Sequence, residues 1–215
     1  MKKIKTIFLF CGILLILAAL ALCCYNIVQN NKAYNESQKV MKELIKLIPE
    51  QSTQTSAEKN FENPADDLFS SYQQEIDNAA APVPVSVNGR DYCGYITLPS
   101  LELELPVIDR CSYEALEISP CRFSGTAYES DLIIAAHNYN SHFGRIADLD
   151  YGDDVLFTDT CGKVYRYKVD DISLLDGSDS EGMFFGKKDS WDITLFTCTL
   201  SGRSRVAVRG CRYDE

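Results

Sequence analysis

Eighteen consecutive residues without a charge, Ile7–Cys24, constrain this chain more than any other feature in it. A run of that length is at the short end of what a helix needs to cross the hydrocarbon of a bilayer. Lys2, Lys3 and Lys5 precede it and no comparable cluster follows. That asymmetry predicts residues 1–6 on the cytoplasmic side, residues 7–24 as a membrane anchor, and the rest of the chain outside. The competing reading is a cleaved signal peptide, with Ala19-Leu20-Ala21 as a small-residue cleavage site. The run is longer than a signal core of about 7–15 residues, which favours a retained anchor. No second apolar span occurs, so the C-terminal end is expected to be unanchored.

Charge narrows the partners of the outer part. Once Lys2, Lys3 and Lys5 are set aside, 18 basic residues face 31 acidic ones, a net charge near −13. Such a surface argues against nucleic acid and against anionic lipid as ligands; solubility is the simplest meaning of the charge. About 125 residues follow Arg90, enough for one domain with its own core. Residues 91–215 are assigned to that domain and residues 25–90 to a stalk. Within the stalk, Tyr34–Ile48 places Val40, Met41, Leu44, Ile45, Leu47 and Ile48 at helical spacing and stops at Pro49. Gln51–Asn60 reads as a polar loop, Asp66–Asn78 as a short second helix, and Ala79–Pro84 as a stiff connector. A stalk that holds the domain off the membrane is the favoured reading; a helix that packs back on the domain is the other.

From Tyr92 onward the pattern becomes one of short strands. Gly94–Leu98 is apolar and β-branched and ends at Pro99, and Leu101–Leu105 alternates strictly with glutamates. Further candidates are Asp131–Ala136, Asp154–Thr158, Lys163–Leu174, Trp191–Thr197 and Arg205–Arg209. Gly162 predicts a hairpin between Leu156–Phe157 and Val164. Ser112–Leu116 and Phe143–Leu149 read as short helices or turns. Seven or eight short strands separated by turns predict a mainly β fold, a closed or nearly closed barrel of mixed pairing.

Chemistry concentrates in Thr194–Arg205, T-L-F-T-C-T-L-S-G-R-S-R. Cys198 ends an apolar run, and Arg205 opens a second one seven residues later. A thiol and a fixed cation are two of the three groups that thiol-based acyl transfer needs. The third is an acid or base. His137 ends the run D-L-I-I-A-A-H, and His142 lies in a polar stretch, which favours His137. Each residue has a plainer reading: a packed thiol, a structural histidine, a surface arginine. Arg203 has the same strand parity as Arg205 but lies in a Ser-Gly-Arg turn, so Arg205 is preferred; Arg209 reads as a surface or salt-bridged residue. Of the nine cysteines, six lie beyond the anchor, and a free Cys198 leaves an odd five. That is awkward for a disulfide framework, and Cys111 with Cys121 is the pair to test first. No zinc spacing is present, and neither a metal nor a cofactor is expected.

These residues resemble the sortases, membrane-anchored cysteine transpeptidases of Gram-positive bacteria. The segments Gly94–Asp109 (G-Y-I-T-L-P-S-L-E-L-E-L-P-V-I-D), Ile133–Asn138 (I-I-A-A-H-N), Thr194–Thr199 (T-L-F-T-C-T) and Arg205–Gly210 (R-V-A-V-R-G) occur in the family's order. The resemblance covers roughly Tyr92 to Arg212. It implies an eight-stranded sortase barrel, with Cys198, His137 and Arg205 as the catalytic residues. Asn138, Thr197 and Thr199, beside them, are candidate substrate contacts. The implied partners are a C-terminal sorting-signal peptide of Leu-Pro-x-Thr-Gly type on a surface protein and an amine acceptor, from peptidoglycan or a pilin lysine. Departures from the family pattern are Ala136 before the histidine, Asn138 after it, and no Asp-Pro-aromatic lid motif. The short separation of Ile172 from Thr194 speaks against the helical insert of class B. The subclass therefore stays open. A cysteine peptidase that releases its product to water, and a non-catalytic membrane-tethered barrel, are the alternatives.

Overall fold

A computed structural model describes residues 2–49, 82–179, 182 and 191–213. The predicted loop Gln51–Asn60 and helix Asp66–Asn78 lie outside the described residues. Among the described residues nine strands form one sheet: β1 Val85–Val87, β2 Arg90–Leu98, β3 Leu103–Ile108, β4 Cys121–Ser124, β5 Leu132–Ala136, β6 Asp154–Asp159, β7 Val164–Asp176, β8 Ile193–Cys198 and β9 Ser204–Arg212. Their order is β1-β2-β3-β4-β5-β8-β9-β7-β6, and β6 pairs back to β2. Eight strands thus close into a barrel, with β1 added as a short hairpin arm. Pairing is mixed, because β3–β4 and β5–β8 are parallel and the remainder antiparallel.

Period-two burial explains the wall. Along β7, Tyr165, Tyr167 and Val169 point into the core while Arg166, Lys168 and Asp170 face solvent. They pack with Ile96, Leu105, Ile134, Leu195 and Val208 in one interior cluster. Closure depends on Gly94, whose φ is +148° and whose Cβ position would lie 2.1 Å from the Thr158 carbonyl oxygen on β6. Gly94→Ala is therefore expected to cost roughly 3 kcal/mol, from backbone strain and from forcing β2 and β6 apart. Thermal unfolding of the two proteins measures it.

The structure moves some boundaries. Pro99–Leu101 is a 3-10 turn, and Glu102 takes a left-handed conformation (φ 53°), so β3 begins at Leu103 rather than Leu101. The predicted alternation of burial survives, with Leu101 and Leu105 buried and Glu102 and Glu104 exposed. Two short strands, β1 and β4, have no counterpart among the predicted ones. The β1–β2 turn is Asn88-Gly89, both at positive φ, a two-residue turn matched to strand twist. Tyr113–Leu116 (α2) is a single helical turn, capped by the Ser112 hydroxyl accepting from the Ala115 N–H (3.1 Å). None of the nine cysteines forms a disulfide, Cys111 and Cys121 included; the Cys121 thiol donates to the Ser119 carbonyl (3.4 Å).

The anchor and the first stalk helix are one element, α1 Lys2–Leu47, uninterrupted by proline. Residues 9–28 are exposed almost throughout, and Leu9–Leu47 is long and apolar enough to cross a membrane. The other end packs on the barrel through Ala33, Ser37, Val40, Met41, Leu44 and Ile48. Those positions lie on one helical face; Ile45 and Leu47, which the spacing also offered, point to solvent. Val40, Leu44 and Ile48 share a second apolar cluster with Val87, Tyr92, Ile108 and Cys121.

Candidate active site

Strand parity brings the three candidate residues to one place. On β5, Ile134 and Ala136 point inward while Ile133 and Ala135 point outward; His137 follows with the outward parity. On β8, Leu195 is inward and Phe196 outward, so Cys198 is outward too. Phe196 pairs with Ala207 and Cys198 with Arg205 across β8–β9. β5 and β8 run parallel, with Ala136 beside Thr197. His137, Cys198 and Arg205 therefore continue one outward row at the same end of three neighbouring strands. Below them lies an apolar patch of Ile133, Ala135, Phe196 and Ala207, extended by Phe123, whose ring meets Phe196 edge-on at 5.2 Å.

Each group is held in its own way. The Thr197 hydroxyl donates to the Ala136 carbonyl (2.9 Å), fixing the ends of β5 and β8 against each other just below the cysteine and histidine. Thr199 organises the β8–β9 turn, its Oγ1 bonding the Ser204 carbonyl (3.2 Å) and the Ser201 hydroxyl (3.1 Å). Arg205 Nη1 donates to the carbonyls of Gly202 (3.0 Å) and Ser204 (3.2 Å), which orients the guanidinium over that turn. Arg203 is exposed in the turn, and Arg209 is buried against Asp171 (2.5 Å), Ser173 and the Trp191 ring, a structural ion pair. Asn138 lines a cavity of about 310 Å³ beside Cys198, with Phe143, Ile146, Leu200 and Val206. Thr197 and Thr199 line it as well, although their hydroxyls are already engaged.

The histidine stands at the head of an aromatic stack. Its ring centroid is 5.0 Å from Tyr139, which is 5.5 Å from His142. Burial lowers the His137 pKa, and the Glu117 carboxylate just after α2 raises it part of the way back. His142 is fully enclosed; burial, and then the neighbouring His137, push it down to about 4. A depressed folded-state pKa means that the neutral form is favoured by folding. His142 thus contributes stability that is complete above its ordinary pKa of about 6.5 and is lost as pH falls toward 4, by about 3 kcal/mol at most. His142→Phe keeps the stack and is expected to flatten melting temperature between pH 6.5 and 4. Parallel melts of the two proteins over that range check it.

Sequence reading did not find the Phe143 and Ile146 side of the cavity, the packing of Tyr139 between two histidines, or Glu117. Tyr139 and the cavity depend on how the 138–149 segment turns back on itself, which strand periodicity does not encode. The outward row was available from parity alone, since Ile133, Ala135 and His137 alternate with Ile134 and Ala136.

The family model described as Sortase domain matches residues 96–212. Similar folds include a sortase C from Clostridium perfringens SM101, with 21% identity over 83% of this chain and 98% of that one (TM-score 0.52). Sortase A from Corynebacterium diphtheriae has 20% identity over 86% of this chain and 85% of that one (TM-score 0.51). A Clostridium perfringens Sortase D5 transpeptidase has 20% identity over 68% of this chain and 89% of that one (TM-score 0.51). These likenesses are of fold and span classes A, C and D, so they select none. No curated protein matches the chain.

Proposed function

The chain belongs to the sortase family, and from that membership we propose that it is a membrane-anchored cysteine transpeptidase working through Cys198, His137 and Arg205. The observation that carries the reading is the outward row of these residues, with Cys198 and Arg205 in direct register and His137 on the adjoining strand end. Cys198 Sγ attacks the carbonyl carbon of a sorting-signal peptide bond. Arg205, permanently charged, stabilises the oxyanion. His137 gives its proton to the departing amine as the C–N bond breaks, leaving an acyl group on sulfur. An incoming amine then attacks the thioester, gives its proton to His137, and leaves with a new amide bond while the Cys198 thiolate is restored beside the protonated histidine. The cavity lined by Asn138 and Cys198 lies beside the nucleophile and offers room for a substrate.

The donor is a surface protein with a Leu-Pro-x-Thr-Gly-like signal, and the acceptor an amine of peptidoglycan or a pilin lysine. The domain lies outside the cell, held by residues 7–24. A panel of such peptides, incubated with the full chain in detergent with and without an added amine, tests this. Ligated product that requires the amine is the expected result. Cleavage indifferent to the amine identifies a peptidase, and absence of any product identifies a non-catalytic barrel.

A further inference from the structure

The helix α1 meets the barrel first at its catalytic end. The Ser141 N–H donates to Asn30 Oδ1 (3.0 Å), and the Ser141 hydroxyl donates to the Asn30 carbonyl (3.2 Å). Ser141 belongs to the segment that carries His137, Tyr139 and His142. From there α1 descends the wall. Gln38 Nε2 donates to the Glu104 carbonyl (3.4 Å), near the start of β3, and Asn88 Nδ2 in the β1–β2 turn donates to Glu43 Oε2 (3.0 Å). At the foot, Pro49 sits against Gly162 in the β6–β7 turn, so closely that a Cβ on Gly162 would lie 2.1 Å from the Pro49 carbonyl oxygen. Asn30 to Ile48 spans about 27 Å at 1.5 Å per residue, and the buried face runs along it.

The direction of travel fixes the orientation of the enzyme. Residues 7–24 continue the same unbroken helix beyond Asn30, away from the foot of the barrel. Six helical steps, about 9 Å, separate Cys24 from Asn30. We propose that α1 is a strut that turns the catalytic end of the barrel toward the bilayer and holds it near the lipid headgroups, so that the site takes a peptide still anchored in the membrane. The acidic surface cannot draw the domain onto anionic lipid, so the orientation is imposed by the docked helix and not by charge. This rests on the reading of residues 7–24 as a retained anchor and, for its consequence on turnover, on the transpeptidase reading.

Two measurements test it. The native Trp191 stands just before β8, at the foot, and Leu200 is 98% exposed just beyond the other end of that strand. The full chain in phosphatidylcholine vesicles carrying a headgroup nitroxide is compared with a Trp191→Phe, Leu200→Trp variant. The tryptophan at position 200 is expected to be quenched at least threefold more strongly than Trp191. Equal quenching, or stronger quenching of Trp191, overturns the orientation, as does failure of the chain to float with the vesicles. The second measurement inserts seven helix-forming residues after Asn26, which lifts the barrel about 10 Å. Turnover of a peptide anchored in the same vesicle is expected to fall at least tenfold, while a soluble peptide is turned over within twofold of the unaltered chain. An equal effect on both peptides overturns the strut. One-sided quenching without turnover of any peptide leaves the orientation standing and removes the transpeptidase reading instead.

Discussion

Cys198→Ala is expected to abolish peptide cleavage and ligation, with a loss on the order of 10⁴-fold or more, while leaving the fold intact. Without sulfur no acyl-enzyme forms, and what remains is catalysis by positioning and by the Arg205 charge alone. The substitution removes one atom from a half-buried position at the end of β8, where the neighbouring strands are fixed by Thr197 and by the β8–β9 ladder. Melting temperature should therefore change little. Intact-mass analysis supplies the direct check: the native chain incubated with peptide carries one acyl group, mapped to Cys198, and the variant carries none. Acylation at another of the eight cysteines, or a variant that keeps a tenth of the activity, would sink the assignment of Cys198 as nucleophile.

The barrel and the three candidate residues were legible because both depend on local periodicity. T-L-F-T-C, with alternating inward and outward positions, already contains the face on which the thiol lies, and R-V-A-V-R does the same for Arg205. β4 was not legible: Cys-Arg-Phe-Ser is four residues long, and it pairs with β3 through the single partner Ile108↔Cys121. β1 is three residues long, and only its Asn88-Gly89 turn marks it. The helix face of α1 was read in part. Leu44 and Ile48 follow from spacing, but Ala33 and Ser37 are small or polar and are buried only because the barrel wall comes close. The tie from Asn30 to Ser141 joins residues 111 positions apart and has no local signature. The support of the histidine segment is tertiary, whereas the three candidate groups themselves are set by strand ends.

His137→Ala is expected to be the second most damaging change, lowering kcat/KM by roughly 10³–10⁴-fold, or about 4–5 kcal/mol of transition-state stabilisation. The loss combines the missing proton donor with a less activated thiol. The pH profile separates this from damage to the fold. Burial favours neutral His137, so the limb of the kcat/KM profile that disappears in His137→Ala should lie below the ordinary imidazole pKa of about 6.5. Glu117 opposes burial by favouring the imidazolium. Glu117→Gln is therefore expected to move that limb to still lower pH, by a margin that shrinks as salt screens the exposed carboxylate. A limb above 6.5, or one that moves upward when Glu117 is neutralised, would mean that the titrating group is not His137. Glu117 follows α2 and is not part of the cavity lining, so Glu117→Gln changes the charge near His137 without altering the cavity wall.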